Sequence, residues 1–253
     1  MNTTTFESRG EIGLIRIDHT PRNSVTLDSA EQFLTAITQA MNSSCKAVVI
    51  TGTDDSFCAG MNLKEVPNYT PEQQCRLLEL ANKNICTLYS SPKPVIAAVN
   101  GHAVGAGLTI ALACDYRIAA DGDHFAYGLT EARAGIPFPA CPAVAVRAEL
   151  APQDVRFLTL YSKNVNARQI HSRRVVDEIV PHDQVLERAI AVAEDMASIP
   201  ADSYAAVKGQ FRNDAIQKMK DIVANNSDPM MSKWVSDSGM DAADSMLSQK
   251  PQA

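Results

Sequence analysis

Short apolar strands that alternate with helical segments are the feature that most constrains this chain. Nearly continuous apolar runs occur at residues 46–51 (KAVVIT) and 93–99 (KPVIAAV), and DYRIAA at residues 115–120 follows a small-residue helical stretch at 105–114. Such runs are typical of parallel strands that are buried on both faces. Their alternation with helices predicts an α/β fold in which right-handed crossovers join parallel strands.

The flanking segments predict one further strand and two helices. EIGLIRID (Glu11–Asp18) is largely an alternation of apolar and polar residues, which predicts a partly buried strand. Asp28 and Glu31 have the spacing of a capping box and predict a helix start. Thr70 opens the sequence T-P-E-Q, whose proline suits the first helical position, and this helix is expected to reach about Tyr89.

The second half of the chain changes character. From Pro152 onward helical patterns dominate, and Ile199-Pro200 interrupts them. We therefore expect a core at residues 1–199 and a C-terminal helical region at residues 200–253.

Composition restricts the function classes. Asp and Glu outnumber Lys and Arg by 29 to 23, which argues against a nucleic-acid partner because phosphate binding requires clustered cations. The six cysteines form neither a C-x-x-C pair nor a zinc spacing with histidine, so free thiols and no metal site are expected. Because neither a membrane-length apolar stretch nor a targeting pattern is evident, we expect no membrane partner and a cytoplasmic location.

Two glycine-containing turns carry the candidate chemistry. SFCAGMNLKE (Ser56–Glu65) and NGHAVGAGLTIALACDYRIAA (Asn100–Ala120) each follow a strand and lead into a helix or helical turn. Either turn alone is a common structural feature, and neither has the spacing of a dinucleotide or P-loop site. Together they would direct two free backbone N–H groups at one oxygen, which is the arrangement of an oxyanion hole.

The motifs F-C-A-G-x-N-L and N-G-x-A-x-G-x-G-x-x-x-A-x-x-C-D-x-R-x-A, with P-R-N-S-V-T-L (Pro21–Leu27) before them, resemble those of the crotonase (enoyl-CoA hydratase/isomerase) superfamily. The likeness extends over about residues 6–200. It implies a spiral of ββα units, a C-terminal helical trimerisation region, acyl-CoA substrates and no separate cofactor. It also implies a homotrimer or a dimer of trimers. The methionine-rich stretch is expected to pack at a trimer contact rather than to bind a specific ligand; its members are Met219, Met230, Met231, Met240 and Met246.

The resemblance assigns roles to particular residues. The oxyanion donors would be the backbone N–H groups of Met61 and Ala106. The CoA and thioester path would be lined by Ala59, Gly60, Asn62, Leu63, Lys64 and Gly105, with Arg22 and Ser24 near the nucleotide end. Family members often carry Asp at position 62 and Gly at position 106, but these departures are mild because the functional atoms belong to the main chain.

The resemblance also separates reactions within the family. Its hydratases use two glutamates, and this chain has Thr109 at the first position and Glu131 at the second. A hydroxyl cannot replace a carboxylate as a general base near neutrality. The segment G-L-T-E-A-R-A-G-I is similar to that of Δ3-Δ2-enoyl-CoA isomerases, so we expect Glu131, with a raised pKa, to shift the double bond of a 3-enoyl-CoA.

Two alternatives to the isomerase remain open at the level of sequence. Hydration, dehydration or hydrolysis of an acyl-CoA would require a second acid or base, such as His124 or a residue of the helical tail. A noncatalytic acyl-CoA-binding protein would need neither donor turn nor Glu131, which without the resemblance is an ordinary surface carboxylate. His102 is expected to be a packed histidine, and Tyr127 and Phe138 to shape the acyl pocket or the core.

Overall fold

A computed structural model describes residues 3–230 of the chain. Its strands are β1 (Thr3–Arg9), β2 (Ile12–Asp18), β3 (Ala47–Thr51), β4 (Ser56–Cys58), β5 (Val95–Val99), β6 (His102–Val104), β7 (Tyr116–Ala120), β8 (Tyr127–Gly128) and β9 (Glu178–Val180). Six of them form one sheet in the order β1-β2-β3-β5-β7-β9, and β4-β6-β8 form a second sheet. The β1–β2 pair is antiparallel and every other pair is parallel.

The chain alternates between the two sheets as it advances. Each of β3, β5 and β7 is followed directly by a short strand of the second sheet, and successive turns stack side by side in both sheets. This is the spiral of ββα units that the family resemblance implies. Strands β3 and β5 are buried along their whole length, which explains their uninterrupted apolar sequences.

The helices are α1 (Leu27–Asn42), α2 (Pro71–Tyr89), α3 (Ala106–Leu112), α4 (Ala140–Glu149), α5 (Pro152–Val155), α6 (Ala167–Ser172), α7 (Val185–Ala197) and α8 (Ala201–Asn225). A π-helical segment lies at Arg156–Tyr161, and 3-10 turns lie at Val66–Asn68 and His182–Gln184. Helix α7 packs on β3, β5 and β7, and α1 packs on β1 and β2.

The two predicted helix starts have different outcomes. Helix α2 begins after Thr70, whose hydroxyl accepts from the Gln73 N–H, as the T-P-E-Q sequence predicts. The capping box predicted for α1 is wrong, because Thr26 is the cap and its partner is Ser29. The hydroxyl of Thr26 accepts from the Ser29 N–H at 3.2 Å, and the Ser29 hydroxyl accepts from the Thr26 N–H at 2.8 Å.

Helix α8 follows Pro200 and packs on α2 and α4. A buried ion cluster fixes it to the core: Asp115 lies 2.8 Å from Lys208 Nζ and 2.7 Å from an Arg212 nitrogen, and Arg212 also lies 2.9 Å from Glu149. Asp115 additionally accepts from the Val95 N–H at 2.8 Å, which ties the cluster to β5. The domain boundary at residue 200 stays a prediction.

The C-terminal predictions are only partly covered by the described residues. Met219 is fully buried against the core, whereas Met231, Met240 and Met246 lie outside the described residues. The trimer contact expected at these methionines therefore stays a prediction. Among the helices within residues 3–230, none is both long and apolar enough to cross a membrane.

Candidate active site

The second, three-stranded sheet brings the predicted catalytic residues to one edge. Strands β4, β6 and β8 are parallel neighbours, so their carboxyl ends lie side by side. Met61 follows the end of β4, Ala106 that of β6, and Glu131 that of β8, each within three residues. Residues from three distant parts of the sequence therefore meet because of the spiral topology.

The two glycine turns are in contact with each other. Gly60 and Gly105 have positive φ angles of 87° and 56°, a conformation that side chains disfavour. A Cβ atom on Gly60 would lie 2.9 Å from the Val104 carbonyl oxygen and 3.8 Å from the Ala106 nitrogen, and one on Gly105 would lie 3.8 Å from the Gly60 Cα. Glycine at both positions allows this close approach of the backbones.

The N–H group of Met61 is free because of a short bridge to the segment before α1. Val25 donates its N–H to the Gly60 carbonyl at 2.8 Å and accepts from the Asn62 N–H at 2.9 Å. Peptide groups alternate in direction along an extended segment, so the Met61 N–H points away from Val25. Within residues 3–230 it has no protein acceptor.

The N–H group of Ala106 is free because it opens α3. The first N–H groups of a helix have no intrahelical acceptor. Gly105 donates its own N–H to the Gly128 carbonyl at 2.8 Å, which fixes the turn against β8. In the described part of the chain, Ala106 N–H likewise has no protein acceptor.

A cavity of about 200 Å³ opens at these turns. Its wall includes seven of the predicted site residues: Ala59, Gly60, Met61, Leu63, Gly105, Ala106 and Glu131. The rest of the wall is mainly apolar and comes mostly from α1, α2, α3 and the segment that leads into α4, with single residues of β1, β2, β4 and β6.

Among the described residues, Glu131 is the only acidic residue that lines this cavity. Burial raises the pKa of its carboxyl to about 8, and a hydrogen bond to its own backbone N–H opposes the shift. Its Oε2 atom is buried with no hydrogen-bond partner among the described residues. Its Oε1 atom would lie 3.3 Å from a Cβ on Gly105, so the carboxyl group adjoins the second glycine turn. A proton-accepting group thus lies beside the two backbone donors.

The turn that holds Glu131 is fixed at both ends. The N–H groups of Arg133 and Ala134 donate to the Thr130 carbonyl at 3.1 Å, and the Ile136 N–H donates to the Glu131 carbonyl at 3.0 Å. The Arg133 guanidinium donates to the Ser162 carbonyl at 2.6 Å, which ties the turn to the end of the π-helical segment. The carboxyl group is therefore carried by a restrained backbone.

Thr109 lines the cavity but offers no second proton-transfer group. Its hydroxyl donates to the Gly105 carbonyl at 3.0 Å, one helical turn earlier. His124 lies outside the cavity wall and packs on Phe125 with ring centroids 4.0 Å apart. Neither residue is placed as the acid or base partner that a hydratase would require.

Four predicted binding residues lie outside the cavity wall. The side chain of Asn62 accepts from the Lys64 N–H at 3.2 Å and so stabilises its own turn, and Lys64 is exposed. Arg22 is exposed, with a φ of 51°, while Ser24 is buried. Their predicted contact with CoA stays a prediction.

The remaining candidates separate into packed and cavity-lining side chains. His102 accepts from the Ala126 N–H at 3.1 Å, and burial lowers its pKa, as expected for a packed histidine. Tyr127 is part of the core and donates to the Ala120 carbonyl, whereas Phe138 lines the cavity. Cys58 also lines it, but burial raises its thiol pKa to about 11, which keeps it protonated.

Sequence reasoning missed Asn84, a buried residue of α2 that lines the cavity. Its Nδ2 donates to the Ala30 carbonyl of α1 at 3.1 Å, and its Oδ1 has no partner among the described residues. The sequence signal that could have identified it is an asparagine next to Ile85 on the buried side of the predicted amphipathic helix.

The chain is similar to proteins with two kinds of activity. The sequence profile of the family described as "Enoyl-CoA hydratase/isomerase" matches residues 7–244. Mitochondrial enoyl-CoA delta isomerase 1 of Rattus norvegicus is 29% identical over 216 residues, which cover 81% of this chain and 73% of that protein. A probable enoyl-CoA hydratase of Mycobacterium tuberculosis is 26% identical over 199 residues, which cover 78% of this chain and 75% of that protein.

The fold is also similar to that of a solved structure. The crystal structure of human mitochondrial delta3-delta2-enoyl-CoA isomerase aligns with a TM-score of 0.83 at 22% identity, covering 96% of each chain. This agreement identifies the architecture as the crotonase fold.

Proposed function

Because the chain belongs to the enoyl-CoA hydratase/isomerase family, we propose that it is an enoyl-CoA isomerase that converts a 3-enoyl-CoA into the conjugated 2-enoyl-CoA. One observation carries the proposal: within the described cavity wall, Glu131 is the one carboxyl group, and it lies beside two free backbone N–H groups. A 1,3-proton shift requires a group that accepts and returns a proton, together with donors for the intermediate enolate. The shift is redox-neutral, so the proposed reaction needs no cofactor beyond the CoA of the substrate.

The backbone N–H groups of Met61 and Ala106 are proposed to bind the thioester oxygen. When the proton leaves C2, negative charge develops on this oxygen, and fixed donors stabilise it without reorganisation. Loss of one such donor typically raises a barrier by about 2.7–4 kcal/mol. The donors belong to the main chain, so the departures from the family pattern at Asn62 and Ala106 leave this role intact.

Glu131 is proposed to move the proton. Its carboxylate takes the proton from C2, the electron pair passes into the enolate, and the protonated Glu131 delivers the proton to C4 as the carbonyl forms again. The double bond then lies between C2 and C3. A pKa raised to about 8 makes the carboxylate a stronger base than an ordinary glutamate while both forms remain accessible near neutrality.

Hydration is less well supported by the same cavity. Adding water requires a group that activates the water and a group that delivers a proton to the other carbon. Thr109 occupies the position of the first family glutamate, and its hydroxyl donates to a backbone carbonyl. The relatives include proteins named for each activity, so the choice between them is part of the proposal.

The other predicted residues are proposed to bind the remainder of the substrate. Ala59, Gly60, Leu63 and Gly105 line the cavity next to the thioester, and the exposed cations Arg22 and Lys64 suit phosphate groups of CoA. Asn62 and Ser24 are assigned to the same path. Assembly as a trimer or a dimer of trimers is proposed from family resemblance.

The decisive experiment follows absorbance of the conjugated thioester after addition of a medium-chain 3-enoyl-CoA. Wild-type protein should form it, and Glu131→Gln should lose about 10²–10⁴-fold in kcat, the usual contribution of a general base. Binding of a saturated acyl-CoA by the variant controls for folding and for the CoA site. The exposed Glu194→Gln on α7 is a matched control for the loss of one carboxylate and should retain activity.

Three outcomes would contradict the proposal. Normal turnover by Glu131→Gln would remove the residue from the mechanism. Formation of a 3-hydroxyacyl-CoA from a 2-enoyl-CoA at a rate near that of isomerisation would favour a hydratase. Tight acyl-CoA binding without turnover of any enoyl substrate would favour a noncatalytic protein.

A further inference from the structure

The segment that follows α8 runs back along α2, and we call residues 226–230 the strap. Asn226 ends α8 with a φ of 47°, and its Nδ2 donates to Glu79 Oε1 of α2 at 3.0 Å. Two residues later, Asp228 Oδ2 accepts from Asn82 Nδ2 at 2.8 Å. Because Glu79 and Asn82 are one helical turn apart, the strap is attached to two successive turns of α2.

The same two side chains, Asn82 and Asp228, cap α4. This helix follows Pro139, which makes no side-chain capping bond, and the first N–H groups of a helix have no intrahelical acceptor. Asp228 Oδ2 accepts from the Ala140 N–H at 2.9 Å, and Asn82 Oδ1 accepts from the Cys141 N–H at 2.8 Å. The pair therefore joins three elements: α2, the start of α4 and the strap.

This junction is buried and its polar groups are matched. Asp228 is 5% exposed and Asn82 is 4% exposed. The donors to the Asp228 carboxylate are the Asn82 amide and the N–H groups of Ala140 and Met230, the last at 2.8 Å. A buried carboxylate is costly unless it is hydrogen-bonded, so removal of a donor weakens the whole junction.

The elements that the junction joins both line the cavity. Ala81 of α2 is a wall residue and directly precedes Asn82. Pro139 and Pro142 are also wall residues, and they flank the two N–H groups that the pair accepts. The hydrogen bonds of Asn82 and Asp228 thus hold one wall of the cavity against another.

We propose that Asn82 and Asp228 are positioning residues that fix the distance between these two walls and so limit the size of the acyl chain that the cavity accepts. Protein interiors are closely packed, and one methylene too many in a rigid apolar pocket typically costs about 10–200-fold in kcat/KM. A junction with a stabilising role alone would not need to lie between two cavity walls. The inference rests on the proposed acyl-CoA chemistry and adds to it the device that selects the acyl group.

The test measures kcat/KM for a series of 3-enoyl-CoAs lengthened by one methylene at a time. The wild type should show a cut-off, beyond which each methylene lowers kcat/KM by about tenfold or more. Asn82→Leu replaces the amide with an apolar group of similar size and releases the junction. It should move the cut-off to longer chains by at least one methylene, while kcat for the shortest substrate stays close to the wild-type value because Glu131 is untouched.

Two further variants separate positioning from stabilisation. Asn82→Asp sets two buried carboxylates against each other and should also move the cut-off, whereas adding Asp228→Asn to it exchanges donor and acceptor and should restore the wild-type cut-off. This rescue tests the proposal even if Asn82→Leu fails to fold. Asp154→Leu removes a buried carboxylate of α5 that does not line the cavity, so it should lower stability without moving the cut-off.

A binding assay distinguishes this inference from the proposed function. Calorimetry with saturated acyl-CoAs of increasing length requires no turnover. If the length cut-off in binding moves in Asn82→Leu and no enoyl-CoA is isomerised, the positioning role stands and the isomerase assignment fails. If isomerisation proceeds but the wild type has no cut-off, or shares its cut-off with Asn82→Leu in both kcat/KM and binding, the positioning role is overturned and the isomerase assignment stands.

Discussion

Replacing Glu131 with glutamine should stabilise the protein at alkaline pH while it abolishes catalysis. Burial raises the pKa of this carboxyl from 4.5 to about 8. Between these values the folded chain binds a proton that the unfolded chain has released. The free energy of unfolding therefore falls as pH rises through this window. An ion-paired carboxylate has the opposite effect, because its pKa is lowered in the folded state. Glutamine has the same shape and no proton to lose.

The magnitude follows from linkage. One unit of pKa difference corresponds to about 1.36 kcal/mol. When this dependence is integrated between the two pKa values, the free energy of unfolding of the wild type should fall by about 4 kcal/mol relative to that of Glu131→Gln from roughly pH 5 to pH 9. The loss begins above the unfolded pKa and levels off once pH passes the folded one.

The measurement is urea unfolding of both proteins across this pH range. As pH rises, the free energy of unfolding of Glu131→Gln should exceed that of the wild type by a steadily growing amount. Glu194→Gln, which removes an exposed carboxylate of α7, is the control and should give a curve parallel to the wild type. If the Glu131→Gln curve is also parallel, Glu131 ionises normally and the argument for a strengthened base fails.

Three further predictions follow from the same geometry. The kcat/KM for isomerisation should rise with pH and level off above about 8, since Glu131 acts as a carboxylate; a flat profile would contradict this. Gly105→Ala should lower kcat at least about tenfold, because its Cβ would lie 3.3 Å from Glu131 Oε1 at a φ of 56°, whereas Gly209→Ala on α8, with open space, should be neutral. Lys208→Met should destabilise the fold by about 3–5 kcal/mol in urea unfolding, because Asp115 would lose one of its buried cations; a loss below about 1 kcal/mol would show that Arg212 alone suffices.

The sequence predicts those elements whose signals are local. The apolar runs of β3 and β5 and the T-P-E-Q start of α2 depend on nearest neighbours along the chain, and the structure confirms them. The start of α1 was misplaced because two overlapping pairs have capping spacing, Thr26 with Ser29 and Asp28 with Glu31. In the structure the Thr26 hydroxyl accepts from the Ser29 N–H, and this bond makes Thr26 the cap at which the extended backbone ends and α1 begins.

Short strands depend on partners that are distant in sequence. The strands β4, β6 and β8 have only two or three residues each, too few for a periodic pattern, and β9 interrupts a region of helical patterns. Their strand partners lie on neighbouring turns of the spiral, and Tyr127 of β8 also exchanges backbone hydrogen bonds with Val165. No local rule could have placed them.

The sequence by itself determined that two glycine turns and one glutamate are present in the order typical of this family. Only the tertiary structure decided that β4, β6 and β8 end at one edge, so that Met61, Ala106 and Glu131 share a cavity. The same packing decided which polar atoms remain unpaired, because the pKa of Glu131 and the free acceptor of Asn84 both result from burial by distant segments. Proton affinity and hydrogen-bond satisfaction are properties of an environment, and folding creates that environment.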